Sequence, residues 1–282
     1  MDTHLKPNAA VIPAPLTPEA IWRQYDADEQ RLSAPLSARM LELAQLAPGM
    51  RVLDLASGRG EPAIPAARCV APDGSVLGVD LAGSMLQMAR ERAAREAVHN
   101  LELREGDAQT LTGVPAAHFD VTLARWCLMY FSAPKSALRA AHRALRPGGK
   151  MVIAVWAEPE RVPYYSLPRQ ILARYTRVPP IEQDQPGTFY YATQARLAQD
   201  LHDCGFALEH SEEMMVPVMQ SPDAAGVIAW CRAFGMERLL QGLAPALVQA
   251  WEHDMAGALA PFQIGERIHL GGVSRLVLAR AT

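Results

Sequence analysis

The stretch Val52–Ala63, VLDLASGRGEPA, decides how this chain is read. A short apolar run with the character of a strand enters a turn that holds Gly58 and Gly60, and a helix is expected to follow. The two glycines let the backbone turn tightly and approach a ligand with no side chain in between. Pro62 suits the first position of the helix, whose free N–H groups then face whatever the turn holds. Pro65 removes a further donor, which predicts an irregular first turn or a helix that starts there.

Outward from that turn, short apolar runs alternate with amphipathic segments. SVLGVD (75–80) reads as a second strand, LELREGD (101–107) as a third and FDVTLARW (119–126) as a fourth. A helix from Ser84, with Gln87 three residues on, has the arrangement of a capping box. Another, from about Pro134 to Leu145, stops at RPGG and leads into a fifth strand, KMVIAVW (150–156). Such alternation implies β-α-β crossovers and a parallel sheet. Upstream, 19–50 carries apolar residues at helical spacing and ends at Pro48-Gly49. Downstream, 193–206 reads as a helix, 207–218 as a sixth strand and 267–280 as a last one.

The chain has 282 residues, enough for one large α/β domain with insertions. Two segments interrupt the alternation, 158–187 and 221–262, and these are where a substrate cap is expected. The division is therefore an N-terminal flexible arm (1–20), a core of 21–157, 188–220 and 263–282, and the two cap insertions. A net charge of −3, with basic residues scattered beside acidic ones, argues against a nucleic-acid face. No apolar run approaches the roughly 20 residues needed to span a bilayer, so no membrane partner is expected. The four cysteines form no C-x-x-C pair, which favours a reducing, cytoplasmic setting. The Pro/Ala-rich arm leaves a homodimer as one option.

Gly58, Gly60 and Ala63 match the fingerprint G-x-G-x-x-G/A, and Asp80 lies 22 positions after Gly58. That is close to the roughly 20 expected of an acid that holds a ribose diol. The pattern alone serves a nicotinamide dinucleotide or S-adenosylmethionine, because both present such a diol. Two carboxylates favour the second ligand. Asp54, just before the turn, would repel a pyrophosphate but suits an ammonium and a sulfonium. Asp107 ends the third strand where it could accept a hydrogen bond from an adenine amino group.

With these residues in place, the chain resembles a class I S-adenosylmethionine-dependent methyltransferase. It is similar to the group that includes menaquinone- and ubiquinone-type C-methyltransferases and natural-product methyltransferases. The resemblance covers about Trp22 to Phe206. It rests on VLDLASGRGE, GVDLAGSML, EGDAQTL, FDVTLARWCLMYF, RALRPGGKMVIAVW and PGTFYYATQARLAQDLHDCGF, in that order. It implies a Rossmann-like seven-stranded α/β sandwich with an antiparallel last strand and a helical substrate cap. It also implies that Ala56, Ser57, Gly58 and Gly60 cradle the methionine part, and that Asp80 takes the ribose hydroxyls with Leu81 and Met85 beside the adenine. Asp107 and Ala108 would meet the adenine edge, and Arg125 would lie near the amino-acid end. The family's first motif often has Gly where this chain has Ala56, which narrows the room beside the methionine carboxylate.

The acceptor half is less legible. Trp126 and Tyr130 follow the fourth strand, where methyl would meet substrate. Tyr164 and Tyr190 lie in or beside the first cap segment, and Trp22 and Tyr25 on the N-terminal helix that covers the cofactor in such folds. Each is weighed against ordinary packing. No histidine has metal-ligand spacing or a triad-like setting, so no metal is expected. No catalytic residue is assigned, although His253 and His269, in the second cap segment and its return strand, are the histidines placed to act as a base. A sulfonium methyl is already activated. The protein's work is then to hold a small, mostly hydrophobic acceptor about 3 Å from it, in line, and to exclude water. Two other readings stand beside this one. An NAD-dependent oxidoreductase leaves Asp54 and Asp107 unexplained; a methyltransferase-fold protein that binds the cofactor without methyl transfer does not.

Overall fold

The computed structural model describes residues 18–282, so most of the expected arm lies outside the described residues. Helix α1 (Pro18–Ala44) leads into strand β1 (Arg51–Leu55), helix α2 (Ala63–Val70) and strand β2 (Ser75–Asp80). Helix α3 (Gly83–Arg95), strands β3 (Leu101–Glu105) and β4 (Phe119–Arg125), helix α4 (Pro134–Ala144) and strand β5 (Leu145–Trp156) complete the alternating part. Then come α5 (Pro163–Leu172), α6 (Gln194–Asp203), β6 (Phe206–Ser221), α7 (Ala224–Cys231), α8 (Glu237–Leu240), α9 (Pro245–Ala258), β7 (Gln263–Ile264) and β8 (Arg267–Ala281).

The sheet runs β3-β2-β1-β4-β5-β8-β6, with the two-residue β7 added beside β8. Strands β1 to β5 pair in parallel. Strand β8 is antiparallel to both neighbours, β5 and β6. The seven-stranded sandwich is therefore the observed fold, with β7 as a minor addition. Residues 151–156 of β5 are buried without alternation, as a strand covered on both faces must be. Leu36 and Met40 of α1 and Leu197 and Leu201 of α6 are among the fully buried side chains of the core.

Three local expectations are corrected. Helix α2 starts at Ala63 and Pro62 stands just outside it; Pro65 is the third helical residue, where an N–H would have no intrahelical partner anyway. The Ser84–Gln87 capping box does not form. Helix α3 starts at Gly83, the preceding Ala82 has its N–H taken by Asp80 Oδ1 at 2.8 Å, and Gln87 instead donates to Glu91 at 3.2 Å. Strand β5 starts at Leu145 rather than Lys150, because a register break lets Leu145 pair with Phe119 while Lys150 pairs with Val121. Gly148, at φ +74°, turns the intervening chain.

The two interrupting segments pack on each other. Trp251 of α9 is fully buried and donates through Nε1 to the Pro168 carbonyl of α5 at 3.0 Å. Arg174, just past α5, pairs with Asp254 at 3.0 Å. A single π-type turn, Arg232–Met236, joins α7 to α8, with Gly235 at φ +122°. No helix among the described residues is long and apolar enough to cross a membrane.

Candidate active site

The glycine turn sits where β1 gives way to α2, at the carboxyl ends of the parallel strands. Ala56, Gly58 and Gly60 have φ of +50°, +51° and +88°. Gly60 admits no side chain, since a Cβ there would meet Ile64 Cδ1 at 2.7 Å and Ala89 Cβ at 3.3 Å. Ser57 anchors the turn to β2 through its N–H to the Val79 carbonyl at 3.1 Å, and Gly78 leaves the room: a Cβ on it would meet Ser57 Oγ at 2.7 Å.

Asp80 organises two turns at once. Oδ2 accepts from Gly58 N–H and Oδ1 from Ala82 N–H, both at 2.8 Å. Its carbonyl takes Gly106 N–H at 2.9 Å, which brings the end of β3 alongside. A carboxylate has about four acceptor sites, so both oxygens keep capacity for a ribose diol. Leu81, next along, is 66% exposed, and Met85 is half-buried behind it. Asp107 closes its own turn through Gln109 N–H at 2.8 Å to Oδ1, Oδ2 has no hydrogen bond among the described residues, and Ala108 is buried beside it. Glycine turn, Asp80, Leu81 and Asp107 thus line one continuous rim.

Beneath the turn Asp54 is fully buried; among the described residues neither carboxylate oxygen has a well-aligned hydrogen-bond partner, and the Ala63 N–H is the polar group that comes nearest to serving. Burial drives its carboxyl well above the usual range; the nearby Arg125 opposes this, while Glu61 and Asp80 add to it. An unpaired buried acid costs stability unless something else claims it. The cradle of left-handed backbone, the waiting acid and the bare apolar Leu81 fit S-adenosylmethionine, with its ammonium, sulfonium and adenine.

Arg125 stands at the end of β4 but is turned toward α1. Its guanidinium donates to Ser33 Oγ at 2.7 Å, to Glu29 Oε1 at 3.4 Å and to the Glu61 carbonyl at 3.2 Å. Arg59, from inside the glycine turn, pairs with Asp26 and with Glu29 Oε2 at 2.6 Å, and covers the ring of Trp22. Burial pushes the Glu29 carboxyl up, but Arg125, Arg59 and the Ser33 hydroxyl outweigh it, so the net direction is down. Sequence reasoning missed this clasp. Its signal was present: Trp22, Asp26, Glu29 and Ser33 recur at helical spacing and share one face of α1.

The aromatic candidates divide. Trp126, at φ +52°, stacks on Trp156 with centroids 4.4 Å apart and donates through Nε1 to Ser274 Oγ of β8 at 3.0 Å. Tyr164 meets Trp156 at 5.1 Å and Trp230 at 5.8 Å; Trp230 meets Phe234 at 4.7 Å; Phe234 meets Trp22 at 4.8 Å and Tyr25 at 5.6 Å. These rings form a wall running from the end of β4 through the cap to α1. Tyr130 is 53% exposed and bonds Thr188 Oγ1 at 3.2 Å. Tyr190 lies outside the wall, against Tyr191 and beneath Arg196. Trp156, Trp230 and Phe234 are the middle of it. His253 is exposed on α9, and His269 lies on β8 opposite Gln220.

Residues 46–185 match the family model described as a methyltransferase domain. Nocamycin O-methyltransferase of Saccharothrix syringae is 27% identical over 226 residues, covering 75% of this chain and 78% of that protein. The ubiquinone/menaquinone biosynthesis C-methyltransferase UbiE of Pseudomonas fluorescens is 34% identical over 120 residues, 42% of this chain and 46% of the relative, so less than half of that relative is spanned. The fold is shared with an S-adenosylmethionine-dependent methyltransferase structure from Aquifex aeolicus, at a TM-score of 0.57 and 15% identity over 95% of this chain and all of the other. Through residues 46–185 the chain carries a methyltransferase domain, and S-adenosylmethionine is its cofactor.

Proposed function

We propose that this chain methylates a small, mostly hydrophobic acceptor of the natural-product or quinone-like kind. The observation that carries the reading is the aromatic wall, which begins at Trp126 beside the cofactor rim and continues into the cap. The chemistry supplied by bound S-adenosylmethionine is an electrophilic methyl group on a sulfonium. Asp80 and Asp107 would orient the ribose and adenine, and Asp54 would meet the ammonium end. The clasp of α1 over Arg59 and Arg125 would exclude water, and the stacked rings would set a flat acceptor in line for displacement. The segments 158–187 and 221–262 serve as the substrate cap in this reading, and the four free cysteines are in keeping with a reducing cytoplasm.

Calorimetry tests the first half. S-adenosylmethionine and S-adenosylhomocysteine should bind at micromolar concentration and NAD should not, with Asp80→Ala losing about a hundredfold. Radiolabelled methyl transfer to a panel of phenols, quinones and aromatic acids tests the second. NAD bound in place of the sulfonium ligands would make the protein an oxidoreductase. Tight cofactor binding with no transfer to any acceptor would make it a cofactor-binding protein of another kind.

A further inference from the structure

Between α5 and the α7–α8 turn lies a cavity of about 430 Å³. Tyr164, Tyr165, Trp230 and Phe234 line it, so three rings of the aromatic wall face it. Two arginines line it as well, Arg169 and Arg238, and no carboxylate does. Arg169 is half-buried on α5, its guanidinium over the Tyr165 ring at 5.4 Å. Nη2 donates to the Pro179 carbonyl at 2.7 Å, but Nε is buried with no hydrogen-bond partner, and Nη1 has none either. Arg238 is exposed and makes no ion pair or hydrogen bond among the described residues. Every other arginine of the cofactor rim and of α1's clasp is paired.

A positive charge held in place on an aromatic floor, with donors unspent and no acid to neutralise it, is a site for an anion. The same lining argues against a cationic amine, which the two guanidiniums would repel. Neither the arginines nor Cys231 nor Tyr164 serves as a general base here. Arginine does not deprotonate, burial pushes the Cys231 thiol up to about 12, and burial raises the Tyr164 hydroxyl well above its ordinary range.

We propose that this cavity selects an aromatic acceptor bearing an acidic oxygen group, a carboxylate in its simplest form, with Arg169 as its anchor and Arg238 as an outer guide. The proposal rests on the methyltransferase reading and names the chemical class of its acceptor.

The test uses 2-naphthoate and its neutral analogue 2-naphthamide, titrated into the full chain saturated with S-adenosylhomocysteine. Naphthoate should bind at least tenfold more tightly than the amide, about the worth of one charge-assisted contact. Arg169→Met should abolish that preference while leaving the amide and S-adenosylhomocysteine affinities unchanged; Arg238→Gln should weaken naphthoate a few-fold and steepen nothing else. Unchanged S-adenosylhomocysteine binding certifies that each variant is folded. Equal binding of acid and amide, binding of neither, or an acid preference that survives Arg169→Met would overturn the proposal. Failure of S-adenosylhomocysteine itself to bind the unaltered chain would instead overturn the methyltransferase reading beneath it.

Discussion

The guanidinium of Arg59 lies 4.0 Å from the centroid of the Trp22 ring, so a residue of the cofactor turn and a residue of the first helix share one contact. The same guanidinium pairs with Asp26 and Glu29, all with little exposure. Breaking a largely buried pair leaves the partner acids uncompensated, at a cost on the order of 3 kcal/mol. Arg59→Met should therefore release the first half of α1. Hydrogen exchange of Trp22–Ser33 is expected to rise by about a hundredfold while the sheet stays protected, and Trp22 emission should shift to the red. Unchanged protection of that segment would mean that apolar packing, not the clasp, holds the helix down.

Acid should open the same helix. The Glu29 carboxyl is lowered in the folded chain, so the stabilisation it brings is fully present above the ordinary carboxylate value of about 4.3 and is lost as pH falls below that through the folded value. Protection of α1 followed down a pH series should fall in that window before the sheet unfolds. In Glu29→Gln, whose helix lacks the charge at every pH, this early step should vanish. An identical step in the variant would assign the acid response to another group.

Asp54 predicts a trade between stability and binding. Its carboxyl is raised by burial, so the folded chain resists ionising it, and stability falls as pH rises from the ordinary carboxylate range toward the folded value. Asp54→Asn removes that conflict and should raise the melting temperature of the cofactor-free chain by about 2–4 °C. The same change should weaken S-adenosylhomocysteine by at least tenfold, because the ammonium end loses its counter-charge. A variant both less stable and unchanged in affinity would show that Asp54 only shapes the turn.

Ala56 is an L-residue held in the left-handed region, at φ +50°. That conformation costs an alanine about 1–2 kcal/mol and a glycine little, against the extra backbone entropy glycine loses on folding. Ala56→Gly should then stabilise the chain by about 0.5–1 kcal/mol, read in a urea titration at constant m-value. Cofactor affinity should hold or improve as the space beside the methionine carboxylate widens.

The proposed cofactor half of the site is readable in the sequence because its geometry is local. Gly58, Gly60, Asp80 and Asp107 sit at strand ends, and short apolar runs bounded by turns locate strand ends in the sequence. What stayed hidden depends on side chains meeting across the fold. Arg125 was expected near the cofactor's amino-acid end, and nothing local announced that its guanidinium also reaches Ser33 and Glu29 on a helix more than ninety positions away. The contacts that link Trp156, Tyr164, Trp230 and Phe234 also cross elements, and no pattern within one helix or strand tells which neighbour a ring will meet. The capping box failed for a related reason. Asp80, two residues upstream of Ala82, already takes the N–H that begins the turn into α3, so the helix is started by the strand before it. The longer β5 required the bulge opposite Phe119, which only pairing partners can reveal.

Strand β8 slots between β5 and β6, and it carries Ser274, on which the Trp126 indole rests. Chains are made from the amino end, so the cofactor cradle and the whole cap leave the ribosome before this strand does. Until it arrives the β5 edge is unpaired and the indole has no hydroxyl to meet. The acceptor side of the molecule is in this sense finished last, by a long-range insertion of the kind that folds slowly. On the proposed reading, a half-made chain already owns the groups that would grip the methyl donor, yet has nowhere to aim it.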